Sequence, residues 1–312
     1  MFPESIGWDN WGELMCDERL FAPIVRAALS ASGLPAGEIR AGFPGTNAVF
    51  TAGDGYVVKI YAPLGIRDAD AERACYRLIR DFRVPLAPRL YAEGALEFGG
   101  HTWQYIVMEQ VHGRAVREIW SDMDKGARMH AARAVGAFAA AYHALPDPFS
   151  PEDALSRSGF LRGARERIAW NANRLFEGGC RESFASELLR RATDALCAKD
   201  RGIVLTHSDL TEDHLLIDGE ALHIIDFADS RMGFCSLEWV PLWFGMFARD
   251  EEAFCAYLDA AGDAYSPEEM LLAAMLHGYG APILLHSVEN LQDMRGADAL
   301  LPTFPKARQN PI

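Results

Sequence analysis

The sequence predicts an α+β chain in two parts, a small antiparallel β-sheet lobe with one main helix and then a larger, mostly helical lobe. Three observations carry that reading. From Ile39 to Tyr61, short β-rich runs are broken by glycines, with Ala48-Val-Phe-Thr and Tyr56-Val-Val-Lys-Ile-Tyr on either side of Asp54-Gly55. After His112-Gly113 the apolar spacing becomes helical. Inside the helical half, residues 205–227 form one β-rich interruption that carries more polar groups than a hairpin needs.

The elements follow in order. Apolar spacing over 18–33, closed by Gly33 and Pro35, predicts a helix ahead of the first strands. After the hairpin around Asp54-Gly55, a helix is expected at about 68–82, with Ala71, Cys75, Leu78, Ile79 and Phe82 on one face. Pro85 and Pro88 break the chain before strands near 89–93 and 103–109, separated by Gly99-Gly100. An Ala-rich amphipathic helix over 122–144, opened by Ser121 or Asp122, begins the second lobe, followed by helices over 157–177 and 181–198. Beyond the interruption, 236–248, 250–261 and 266–287 read as helices, the last opened by Ser266-Pro267-Glu268-Glu269. The proline-containing tail from Leu301 reads as extended. These assignments give a first domain over 1–111, with a helical N-terminal extension, and a second over 112–312.

The chain has 312 residues, half of them apolar, which is enough for one large or two modest cores. A net charge of −14 excludes a nucleic-acid partner, which would need basic stripes, and suits a cationic one. Six scattered cysteines at 16, 75, 180, 197, 235 and 255 show no metal spacing and read as reduced thiols of a cytoplasmic protein. The N-terminus has neither a basic nor an apolar signal region, and the longest apolar run, Trp239 to Phe247, is too short to span a bilayer.

The 205–227 block carries the chemistry. Two apolar runs flank Asp218-Gly219, a strong hairpin signal, with His207 and Asp209 before the hairpin, His214 opening its first strand, and Asp226 after it. Closing the hairpin is expected to bring Asp209, His214 and Asp226 towards one volume. Two carboxylates and an imidazole suit a divalent cation together with a base that takes a hydroxyl proton, as phosphoryl transfer requires. Asp213 and Asp218 read as ordinary loop and turn carboxylates.

Upstream, Lys59 stands in the apolar run Val-Val-Lys-Ile, where its ammonium needs an anionic partner; Glu72, on the following helix, is the candidate. The loop Gly42-Phe-Pro-Gly-Thr46-Asn47 offers backbone N–H groups to phosphates. It matches neither G-x-x-x-x-G-K-[ST], which excludes a P-loop, nor G-x-G-x-x-G. Met108, Glu109 and Val111 fall where the lobes join, and an extended segment there can offer its backbone to a purine edge.

In this order, the pieces resemble the aminoglycoside phosphotransferase family, over about residues 35–250. The likeness is most specific in His207-Ser-Asp209-Leu-Thr-Glu-Asp-His214-Leu-Leu and Ile225-Asp226-Phe227, against a family pattern of roughly H-G-D-L-x-x-x-N-(I/L/V)-L and then (I/V)-D-(F/W). Two positions depart from it: His214 replaces Asn, and Ser208 replaces Gly. The stretches Thr46-Asn47-x-Val49, Val58-Lys59, Tyr105-x-Val107-Met108 and Asp226-Phe-x-Asp229 are most similar to hygromycin B kinases. Gly233 and Glu238 match a later Gly and acidic residue, with Glu238 read as a structural helix-start carboxylate.

The resemblance implies a bilobal protein-kinase-like fold and a small-molecule O-kinase that moves the γ-phosphate of ATP or GTP, with Mg²⁺, to a hydroxyl of an aminoglycoside such as hygromycin B, conferring resistance. It implies that Asp209 accepts the hydroxyl proton, that His214 and Asp226 hold the metal, and that Lys59, held by Glu72, neutralises the α/β-phosphates. Thr46, Asn47, Met108, Glu109 and Val111 complete the nucleotide site, His207 braces its loop, and Asp229 meets the cationic substrate. Two other readings stay open: a kinase of an endogenous hydroxylated amine or sugar, and a nucleotide-binding pseudokinase, which intact Lys59, Asp209 and Asp226 oppose.

Overall fold

In the computed structural model, residues 2–43, 45–53, 55–198 and 202–306 are described. Pro44 of the glycine-containing loop, Asp54 of the first hairpin turn and the end of the tail lie outside them. The chain divides into two compact units, 1–113 with 223–229, and 114–222 with 230–312.

The first unit starts with α1 (Trp8–Leu14) and α2 (Glu18–Ala31), the latter begun by the Asp17 carboxylate accepting the Arg19 and Leu20 N–H groups. An antiparallel sheet follows, of β1 (Ile39–Ala41), β2 (Ala48–Ala52), β3 (Tyr56–Ile60), β4 (Leu90–Phe98) and β5 (His101–Glu109), in the order β1-β2-β3-β5-β4, with α3 (Ile66–Phe82) between β3 and β4. Gly99 and Gly100, at φ of 61° and 86°, make the two-residue turn between β4 and β5 that only positive φ permits. Trp11, Phe21, Ile24 and Val25 of the helices pack with Phe50, Val58, Ile60, Trp103 and Val107 of the sheet. Side chains alternate across a strand, so Lys59, opposite Ile106, belongs to the other face.

On α3 the expected face is partly wrong. Ala71, Cys75 and Ile79 are buried as expected, but Glu72 and Tyr76 are buried with them, and Phe82 is exposed. Apolar periodicity cannot register a carboxylate that enters the interior with its own cation.

The second unit holds β6 (Arg114–Ala115), α4 (Val116–Ile119), α5 (Lys125–His143), α6 (Arg157–Glu177), α7 (Glu182–Ala198), β7 (Val204–Thr206) and β8 (Leu215–Asp218). It then holds the start of β9 (Ala221–Ile224), β10 (Arg231–Gly233), α8 (Trp239–Pro241), α9 (Glu251–Ala261), α10 (Pro267–Leu276) and α11 (Gly280–Ser287). β7 pairs with β10, and a further sheet runs β6-β8-β9. α5 lies so close along α9 that a Cβ on Gly136 would stand 2.4 Å from the Tyr257 carbonyl oxygen.

Four sequence expectations are corrected here. The α5 cap is Asp124, accepting the Ala127 N–H, because Trp120–Asp122 is a separate 3₁₀ turn. The span 236–248 is not one helix: a 3₁₀ turn over Cys235–Glu238, α8 and a π turn over Leu242–Met246 succeed one another, around a Pro241 that has no N–H to give. The span 266–287 is two helices bent by 117°. Leu301–Thr303 is a 3₁₀ turn and Phe304 is buried, so that part of the tail is folded.

The α10–α11 break is stabilised from outside. The side chain of Asn171, fully buried on α6, donates to the carbonyls of Met275 and His277 at 2.9 and 3.0 Å and accepts the Ala281 N–H at 2.8 Å. Backbone groups orphaned by the bend are thereby paired, as burial demands. No single helix among the described residues is long and apolar enough to cross a membrane.

Candidate active site

The first unit gathers Lys59, Glu72 and Asp226. Lys59 is buried on β3, and its Nζ stands 2.8 Å from Glu72 Oε2 and 2.8 Å from Asp226 Oδ1. Burial opposes its charge, but Asp226 and then Glu72 outweigh that, so Lys59 holds its proton well above the ordinary lysine range. Burial pushes the Glu72 carboxyl upwards, and the Lys59 ammonium pulls it back. Glu72 also accepts the Tyr61 hydroxyl at 2.7 Å and the Phe227 backbone N–H at 3.3 Å, so both carboxylate oxygens are engaged.

Asp226 sits at a φ of 63°, a left-handed conformation that Asp tolerates, and its Oδ1 accepts the Ala228 N–H at 3.3 Å. This sharp turn sends Phe227 into the core, where its ring meets Tyr76 edge-on at 5.2 Å. The Tyr76 hydroxyl donates to the Met108 sulfur at 3.3 Å, which joins Met108 to the same apolar wall. Tyr61 and Tyr76 escape notice in the sequence because aromatic residues in a strand and on a helix face read simply as core.

The remaining residues of this unit are placed as follows. Thr46 is exposed, and its carbonyl accepts the indole N–H of Trp11 at 2.7 Å. Asn47 is buried, its amide oxygen accepting the Ala62 N–H at 3.4 Å. Glu109 is exposed, and its carboxylate accepts the Arg89 N–H at 3.2 Å. Val111 and Asp229 are half-buried.

The second unit brings Asp209 and His214 together. His214 Nδ1 lies 2.9 Å from the Asp209 carbonyl oxygen, 3.2 Å from the Thr211 hydroxyl and 3.2 Å from Asp209 Oδ2. A proton on Nδ1 satisfies the carbonyl and leaves Nε2 as the lone-pair nitrogen, the tautomer that metal-ligating histidines adopt. His207 is buried, its Nδ1 accepting the Asp209 N–H at 3.3 Å.

Glu238, also buried, accepts the His207 N–H at 2.5 Å and the Ser208 N–H at 3.2 Å. It makes no side-chain cap to a helix. The carboxylate serves the Asp209 loop and not a helix start, which sequence spacing alone could not distinguish across 31 residues.

A magnesium ion paired with a nucleotide needs one or two protein carboxylates, the rest of its shell being phosphate oxygens and water. Asp226, with a side chain 38% exposed, fits that demand. No cluster of three or more His, Cys, Asp or Glu side chains able to cage a metal occurs among the described residues.

Compared with known families, residues 38–272 match the model of the phosphotransferase enzyme family, APH. The chain belongs to that family. As one of its members it is a small-molecule O-kinase. Solved structures agree on the fold of this phosphotransferase. The GDP complex of wild-type aminoglycoside 2'-phosphotransferase-IIIa superposes with a TM-score of 0.62 at 14% identity, over 90% of this chain and 97% of that one. Aminoglycoside phosphotransferase APH(4)-Ia gives 0.59 at 15%, over 91% and 99%. Aminoglycoside-3'-phosphotransferase of type VIII gives 0.53 at 22%, over 80% and 97%. The phosphotransferase thus has the protein-kinase-like fold that its sequence motifs imply.

Proposed function

We propose that this phosphotransferase moves the γ-phosphate of a nucleoside triphosphate to a hydroxyl of an aminoglycoside, hygromycin B being the first acceptor to try, and that it thereby confers resistance. The observation that carries the reading is the buried Lys59 ammonium held by two carboxylates at 2.8 Å. A cation kept charged and immobile in the interior is what developing phosphate charge requires. Solved neighbours support the donor and acceptor classes: one was captured with GDP and kanamycin, another with ATP and streptomycin.

In this mechanism Asp209 orients the acceptor hydroxyl and takes its proton. Lys59 neutralises the α/β-phosphates, and Glu72 keeps Lys59 in place. Asp226, with His214, would hold Mg²⁺, which supplies charge neutralisation of the phosphate oxygens when bound. Met108, Glu109 and Val111 receive the base, Thr46 and Asn47 belong to the loop that faces the phosphates, and Asp229 pairs with an ammonium of the acceptor. Most of the rate enhancement is positioning and electrostatics.

The test is Mg-nucleotide consumption across a panel of aminoglycosides and small amines, with ATP and GTP in parallel. Turnover with at least one aminoglycoside is expected. Turnover with non-aminoglycoside amines alone would move the acceptor to an endogenous metabolite, and failure of calorimetry to detect Mg-nucleotide binding would overturn the donor assignment.

A further inference from the structure

We propose that His277 is a positioning residue for Asp209, gripping the peptide that carries it; this rests on the role given above to Asp209. The observation is a single peptide unit held at both ends by histidines. Its carbonyl, from Ser208, lies 3.1 Å from His277 Nε2, and its N–H, from Asp209, donates to His207 Nδ1 at 3.3 Å. A peptide is planar, so fixing its C=O and its N–H fixes the plane and with it the direction in which the Asp209 Cα leaves.

The tautomer of His277 follows from its partners. Its Nδ1 accepts the Tyr279 backbone N–H at 3.1 Å, so the proton of the neutral ring is on Nε2, aimed at the Ser208 carbonyl. A second proton would set Nδ1–H against the Tyr279 N–H. Burial agrees with this, pulling the imidazole down from 6.5 to about 4. The ring is a fixed, uncharged donor.

His277 is in place because the helix breaks there. With α10 continued into α11, the backbone of 277–279 would be helical, and the Tyr279 N–H would have a carbonyl partner in place of the ring. Asn171 binds the Met275 and His277 carbonyls and the Ala281 N–H, holding the break open. The Ser208 side benefits in turn. Ser208 adopts a φ of 64°, unfavourable for a residue with a Cβ, and each of its polar groups is engaged. Its N–H goes to Glu238 Oε2, its hydroxyl to Thr206 at 2.7 Å and its carbonyl to His277. Of these three tethers, His277 alone acts on the peptide that continues into Asp209.

The two ring nitrogens can be tested separately. A Gln amide nitrogen reaches the place of Nε2, whereas an Asn amide reaches only that of Nδ1. His277→Asn is expected to lower kcat about 10- to 100-fold with the nucleotide KM changed by no more than about twofold, and His277→Gln to recover most of the loss. In an Asp209→Asn background, His277→Asn should cost nothing further. A second readout needs no turnover: amide hydrogen exchange at Ser208, Asp209 and Leu210 should quicken in the Asn variant and return towards wild type in the Gln variant. Equal kcat losses in both variants, or unchanged exchange in the Asn variant, would overturn the assignment. If the wild-type protein turned over no aminoglycoside, the proposed acceptor would fall, and the exchange comparison would still decide His277.

Discussion

Glu72 takes the Lys59 ammonium on one oxygen at 2.8 Å and the Phe227 backbone N–H on the other at 3.3 Å. One side chain of α3 thereby fixes both the charge on β3 and the course of the chain just beyond Asp226. The two carboxylates around Lys59 are not equivalent: Glu72 is wholly buried, while Asp226 is partly open to solvent. Glu72 is suited to permanent structural pairing, and Asp226 to a partner that comes and goes.

Glu72→Ala is therefore expected to destabilise the fold by about 3–5 kcal/mol, the usual consequence of leaving a buried charge half-compensated. Glu72→Gln keeps an acceptor for Tyr61 or Phe227 and should cost less. Urea denaturation at pH 7 measures both, and a Gln variant as unstable as the Ala variant would shift the weight from hydrogen bonding to charge. Both should raise the nucleotide KM.

The peptide that carries Asp209 is tethered through its N–H to His207 and its C=O to His277, and the Asp209 carbonyl lies 2.9 Å from His214 Nδ1; the carboxylate adds one contact to the same ring at 3.2 Å, so removing it should leave the loop intact. Asp209→Ala is expected to cut transfer by about 10²–10⁴-fold, the range for loss of a positioned general base. Nucleotide affinity by calorimetry should be unchanged. Wild-type turnover in that variant would remove Asp209 from the mechanism.

The legibility of these features in the sequence depends on how far away their partners lie. Lys59 could be read because an ammonium in an apolar strand is costly without an anion, and Glu72, among several acids on the next helix, because a strand lysine paired with a helix glutamate is the ion pair that kinases use. The Gly99-Gly100 turn follows from local conformational freedom. The break at His277 was hidden: residues 267–276 are rich in Leu, Ala and Met, which satisfy helical spacing, and the bonds that hold the bend come from Asn171, 104 and 106 residues away. Glu238 was visible as an acid but not as an anchor, since its partners are 30 and 31 residues upstream. The buried Glu72 misled the assignment of the α3 face for a related reason, its cation lying on another element.

The left-handed conformation of Ser208 predicts an asymmetric response to substitution. Ser208→Gly relieves the Cβ clash and loses the hydroxyl bond to Thr206, two effects of about 1 kcal/mol and opposite sign, so the melting temperature should barely move. Ser208→Val adds a β-branched side chain where φ is positive and removes the same bond, and should cost about 2 kcal/mol or more. Thermal unfolding of the two variants distinguishes these outcomes; equal behaviour would mean that the conformation is not retained in solution.

His277 makes stability depend on pH in a calculable direction. Its imidazole titrates at about 4 in the folded chain against a reference of 6.5. Between those values the unfolded chain binds the extra proton and the folded chain does not, so acidification favours unfolding. The contribution is intact above about pH 6.5 and is lost as the pH falls towards 4. It amounts to about 2 kcal/mol between pH 7 and pH 5. Other groups add their own pH dependence, among them Glu72, whose carboxyl is pushed up by burial and so contributes with the opposite sign. The informative quantity is therefore the difference between wild type and His277→Gln, which cannot titrate. The urea midpoint of the wild-type protein should fall more than that of the variant between pH 7 and pH 5, and parallel profiles would show that His277 is not a buried neutral imidazole in solution.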